Sequence, residues 1–163
     1  MKKIIVILTL VLTVFSQITA KEALNTWDRM SEMLLKSVDK MPAKHFNYSP
    51  IEPLADFAKL VNHTSGANFM FAATVKLENP KIKVNGTTKD IVMKDLEKSF
   101  KFIRNGIAQL NSSELNEKIN WFGRDMTRLN AILTMTDHIQ REYGKIITYL
   151  RLKGVAPVRS AGW

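Results

Sequence analysis

The chain has 163 residues, 24 Lys+Arg against 15 Asp+Glu, a formal net charge of +9 and no cysteine. The absence of cysteine excludes disulfides, thiolate metal sites, a cysteine nucleophile and a lipid-bearing cysteine. The length suits one domain with a real core, and lysines scattered through every segment, with no dense basic block, argue against nucleic acid or a membrane surface as partner.

Lys2 and Lys3 open the chain, the apolar run Ile4 to Phe15 follows, and Ser16-Gln17-Ile18-Thr19-Ala20 closes the segment on a small residue. This is the layout of a secretory signal. The run is 12 residues, short of the roughly 20 that cross a bilayer. We therefore expect a signal peptide over residues 1–20 and an exported mature domain, periplasmic or secreted, over 21–163, with no integral membrane span after cleavage. An uncleaved N-terminal anchor is the alternative. The leader holds two lysines and no acid, so the mature chain carries +7.

Every clear periodicity beyond Ala20 is helical. Trp27, Met30, Leu34, Val38 and Met41 recur at steps of three or four, one face of a helix that Pro42 ends. Ser49-Pro50-Ile51-Glu52 has the form of a capping box, although Pro53 removes a backbone donor. A second helix is expected from about Leu54 to Glu78, with Phe57, Leu60, Val61, Ala67, Phe71 and Val75 as its apolar side. Asn79-Pro80 stops it. Lys81 to Thr88, with its Asn85-Gly86 turn signal, reads as a loop rather than a strand. Val92, Leu96, Phe100, Ile103, Ile107 and Leu110 define a third helix capped by Thr88. Ser113 to Gly123 reads as a polar link with one helical turn over Glu114 to Lys118 and Trp121 and Phe122 as docking aromatics.

The fourth helix is expected from about Arg124 to Lys153, with Gly154 beyond its end. It has two apolar stripes, Leu129-Ile132-Thr136-Ile139-Tyr143-Ile147-Leu150 and Ala131-Met135-His138-Glu142-Ile146-Tyr149, so it meets more than one neighbour. The sum is an all-α, up-down four-helix bundle of helix and loop only. Trp27, Leu96, Phe100, Ile103, Leu133 and Ile147 are expected in its core. Gly144, mid-helix, calls for a close approach of helices within the bundle or across a dimer.

Three histidines are candidates for chemistry. His45 sits in a polar connection and reads as solvated. His63 falls among Leu60, Ala67 and Met70, which predicts an inward ring, and His138 and Glu142 lie one turn apart on an apolar stripe. Buried polar groups need partners. A divalent metal held by His63, His138 and Glu142 satisfies all three, since two imidazoles and a carboxylate form a known ligand set. A His–Glu hydrogen bond, or a surface pair of Glu142 with Lys145, satisfies the spacing equally.

The run from Asp137 to Pro157, with His138-x-x-x-Glu142-Tyr143-Gly144, Tyr149-Leu150-Arg151 and then Gly154 and Pro157, is similar to the ending of DinB-like proteins. Phe57 to Thr64 and Ala67 to Phe71 resemble that family's second-helix motif, and Trp27 and Met41-Pro42 also sit where the family has them. The resemblance implies a four-helix bundle, a divalent-metal site of three histidines and a homodimer. It also brings in relatives that are thiol-dependent transferases or isomerases. Carried over by position, His63 matches the first ligand, His138 the second, and Glu142 stands where the third histidine falls. Glutamate still binds zinc, nickel, iron or manganese, with a preference for harder ions. The expected cofactor is one such divalent ion, and the expected function is metal-dependent hydrolysis or transfer on a small molecule. The rival reading is a non-catalytic cell-envelope binding protein with a structural or degenerate site.

Overall fold

The structure, a computed structural model, describes residues 2–158, with side chains from Ala20 onward. Apart from Ala20, the expected leader therefore lies outside the described side chains. Helix α1 covers Lys2–Lys40 and buries Ala23, Trp27, Met30, Leu34 and Val38 along one side. It stops where expected, because the residue before Pro42 is pushed out of helical conformation. A 3-10 turn over Ala43–His45 leads away, and the Phe46 ring then packs edge-on against Phe57 at 5.2 Å between centroids.

Helix α2 is shorter than its sequence predicts, Phe57–Met70 rather than 54–78. The Ser49–Glu52 capping box does not form. Ser49 Oγ instead donates to the carbonyls of Ile51 and Leu54, and the helix is capped by Asp56, whose carboxylate accepts from the Lys59 amide at 2.8 Å. Past Phe71 the chain tightens into a 3-10 turn, Ala72–Val75, and Lys76 closes it in a left-handed conformation. Residues 81–88 are a loop up to Thr88, as the Asn85-Gly86 signal predicts. Asn62 of α2 donates to the Gly86 carbonyl at 2.7 Å and pins that loop.

Helix α3 spans Lys89–Gln109 and buries Val92, Leu96, Phe100, Ile103 and Ile107. A single turn, α4, covers Ser112–Asn116 behind a reciprocal capping box between Asn111 and Glu114. Here the expectation of helix and loop only is overturned. Strands β1, Lys118–Trp121, and β2, Arg124–Thr127, pair antiparallel with Trp121 opposite Arg124. Phe122 and Gly123 both take positive φ, the geometry of a two-residue hairpin turn. Asn120 steadies the turn by accepting from the Gly123 amide at 3.0 Å. Helix α5 therefore begins at Arg128 and runs Arg128–Leu152. It ends as expected at Gly154, whose φ of 70° lets the amides of Gly154 and Val155 return to the carbonyls of Arg151 and Leu150.

Helices α1 and α2 each pack against both α3 and α5. Trp27 anchors the centre, fully buried, with its ring edge-on to Phe100 at 5.9 Å. Of the expected core, Leu133 is 41% exposed and Ile147 only partly buried. Both lie to the side of the α5 face formed by Ile132, Met135, Ile139, Ile146 and Leu150. Among the residues with described side chains, no helix is long and apolar enough to cross a membrane.

Candidate metal centre

The outward seam of α2 positions the first candidate. Phe57, Ala58, Leu60, Val61, Asn62, Thr64, Ser65, Ala67, Asn68 and Phe69 are all buried, which leaves Lys59, His63, Gly66 and Met70 as the less buried edge. His63 is thus not the inward residue that its apolar neighbours predict; its side chain is 60% exposed. Polar Asn62, Thr64, Ser65 and Asn68 take the buried places instead, Asn68 by donating to Ser99 of α3 at 3.0 Å.

Helix α5 supplies the other two. Glu142 is 2% exposed, an uncommon position for a carboxylate, and His138 lies partly buried one turn before it. His63 Nε2 and His138 Nε2 face each other at 3.2 Å, one ring's N–H donating to the other. Glu142 Oε1 lies 3.6 Å from His138 Nε2 and 4.0 Å from His63 Nε2. One donor atom from each of the three residues lies within 4.8 Å of the other two. His45, in its turn, takes no part in this group.

Burial holds the His138 imidazole below the ordinary histidine value; the Glu142 carboxylate opposes the shift, and His63, Arg141 and Lys145 add to it. That direction favours the neutral ring, the form whose lone pair can be offered to an ion. The second Glu142 oxygen, Oε2, is buried without a partner, a feature that a cation seated on the carboxylate would relieve. His138 Nδ1 is also buried without a partner, and ligating histidines ordinarily have one there. The donor set and the orphaned carboxylate oxygen fit a divalent ion with an open side toward solvent past His63. Glu142 Oε1 is meanwhile held at 2.7 Å by the ammonium of Lys145.

Beside this group stands an aromatic wall that sequence reasoning left as loose docking residues. Phe71 lies edge-on to His138 at 5.9 Å and touches Trp121 and Phe122 at 5.6 and 6.0 Å. Trp121 Nε1 donates to Thr74 Oγ1 at 3.0 Å, which fixes the hairpin over the 3-10 turn. A cleft of about 430 Å³ opens there, lined by Met70, Ala73, Ile119, Trp121 and Phe122 among others. Arg128 ties the wall together. It is buried and donates to the carbonyls of Ala73, Thr74 and Glu114 and to the Glu117 carboxylate at 2.7 Å. The sequence signal for the strand was present in the alternation Lys118-Ile119-Asn120-Trp121, but Phe-Gly is a weak turn dipeptide beside Asn-Gly.

Fold and site together define a class: a mainly helical domain that brings two imidazoles and a buried carboxylate to one point between two helices. Within that class the chain belongs to the DinB family, which it matches over residues 16–161. Its fold is similar to crystal structures of a DinB-like protein from Bacillus cereus, at 14% identity and a TM-score of 0.72 over 85% of this chain and 95% of that one, and of a DinB-like protein from Bacillus subtilis, at 17% and 0.67 over 85% and 96%. A conserved protein from Enterococcus faecalis is similar at 16% and 0.60 over 81% and 95%. No curated protein matches the chain.

Proposed function

We propose that this chain is an exported DinB-family protein, an up-down four-helix bundle extended by a hairpin, that holds a divalent metal ion at His63, His138 and Glu142 and acts on a small molecule by hydrolysis or group transfer. The observation that carries the proposal is the meeting of the three donors around a carboxylate that is 2% exposed. The Lys145 ammonium pairs one oxygen of that carboxylate at 2.7 Å, and the other oxygen is buried without a partner, which leaves room on the carboxylate for a second cationic contact. When bound, the ion would supply Lewis-acid polarisation of a substrate or activation of a water. The chain's own residues would do the rest. The half-open His63 side admits the substrate. The Phe71–Trp121–Phe122 wall, which reaches His138 through Phe71, offers an apolar surface for the part of the substrate that does not react.

A second reading, a non-catalytic cell-envelope domain with a degenerate site, is favoured by one observation: Lys145 already neutralises Glu142. Calorimetric titration of zinc, nickel, manganese and iron(II) into the purified protein separates the two. Stoichiometric binding that is lost in His63→Ala supports the metal centre. Heats indistinguishable between wild type and His63→Ala would support the degenerate site.

A further inference from the structure

We infer that Lys145 sets how tightly this centre takes its metal: its ammonium is a resident cation on the ligand oxygen, and an ion binds only by displacing it. The inference rests on the reading of His63, His138 and Glu142 as ligands, and it concerns a residue that the ligand pattern does not include.

The geometry is specific to one atom. Lys145 Nζ lies 2.7 Å from Glu142 Oε1, not from Oε2, and Oε1 is the oxygen that also lies 3.6 and 4.0 Å from the two imidazole Nε2 atoms. An ion held by His63, His138 and Glu142 would draw on the same carboxylate that the ammonium occupies. The ammonium and the ion would then share one carboxylate, and like charges repel strongly beside a poorly hydrated group. The two states therefore exclude each other. The buried Glu142 charge needs a counter-charge in either state. Lys145 provides it in the free protein, and the metal takes over when bound.

Lys145 is also built to leave. Its side chain is 55% exposed while that of Glu142 is 3% exposed, so the ammonium can swing into water on its flexible stem while the carboxylate stays in place. Sequence spacing places it there, one turn beyond Glu142 at i+3 on α5. The cost of breaking the pair falls equally on every ion, so ions that imidazole and carboxylate hold weakly drop out first.

The test is zinc and manganese titration of the full-length protein and of Lys145→Met, Lys145→Arg and His63→Ala, with melting curves taken alongside. Lys145→Met should bind zinc roughly ten-fold more tightly than wild type, the lower end of what a charge-assisted bond on a half-exposed side chain is worth. Its metal-free melting temperature should fall, and zinc should raise it by more than in wild type. Lys145→Arg, which keeps the charge, should not gain affinity. Should metal-free Lys145→Met be too weakly folded to titrate, Lys145→Gln removes the charge, keeps a donor and carries the same expectation. Equal or weaker zinc binding by the uncharged variants, with His63→Ala still deficient, overturns the role of Lys145 and leaves the metal centre standing. No zinc uptake by wild type or by the uncharged variants overturns both.

Discussion

At the scale of single residues, Glu142 carries the proposed metal centre. Its carboxylate is out of contact with water, one oxygen is held by Lys145 and the other has no partner. Glu142→Gln removes the anionic ligand at nearly constant volume, and zinc binding should weaken by about 1.5–3 kcal/mol, the worth of a charge-assisted contact, as read by competition against a chelating dye. Glu142→His should bind at least as well as wild type, since a neutral imidazole one turn from His138 can still reach the same point. Arg128 is the comparable residue outside the centre. It ties the start of α5 to the 3-10 turn and to α4 with its C-cap Glu117 through four partners, so Arg128→Ala should cost about 2–3 kcal/mol in urea denaturation. The pairing of His138 with Glu142 was legible in the sequence, because imidazole and carboxylate one turn apart on an apolar stripe is a local pattern; the approach of His63 to them is a tertiary contact that no local spacing contains. The orientation of His63 was not legible either. Asn62, Thr64, Ser65 and Asn68 are buried, and polar core residues turn a helix face in a direction that a count of apolar positions cannot see.

At the scale of elements, α1 from Trp27 to its end at Lys40, just before Pro42, the whole of α3 and the Gly154 end of α5 follow from periodicity and stop signals that act within a few residues. The failures lie where a tertiary partner decides. Residues 71–78 continue the apolar pattern of α2, yet the chain there must tighten and turn so that Thr74 can meet Trp121 and Val75 can meet Gly106. The hairpin replaces an expected first turn of the last helix because β1 and β2 satisfy each other's backbone, a pairing invisible from either segment alone. Two glycines make the packing testable. A Cβ at Gly106 would stand 2.5 Å from Val75 Cγ2, so Gly106→Ala should destabilise by about 1–3 kcal/mol. Gly144 has open space around it, which removes close packing within the protomer as its reason, and Gly144→Ala should stabilise α5 by about 0.5–1 kcal/mol. Thermal melts of the two variants should therefore move in opposite directions.

For the whole molecule, the first buried residues among the described side chains are Ala23 and Trp27, just past the proposed processing site after Ala20. A chain starting at Lys21 keeps every buried residue of α1 from Ala23 on. It should fold with the helical content of the full domain, and the intact mass of protein from the envelope fraction should correspond to residues 21–163. A full-length chain retained in the membrane fraction would contradict the export proposal. Metal is the other global variable. A ligand that binds only the folded state adds stability by mass action, about 2.7 kcal/mol at a hundred times its Kd, or about 5–10 °C in melting temperature for a domain of this size. The decisive measurement is the metal content of the purified mature protein by elemental analysis, with His63→Ala prepared in parallel and both melted with and without added ion. One divalent ion per chain in wild type, less than a tenth of that in His63→Ala, and a metal-dependent rise in melting temperature in wild type alone is the expected result; equal metal content and equal melting shifts in the two proteins would contradict a metal centre at His63, His138 and Glu142.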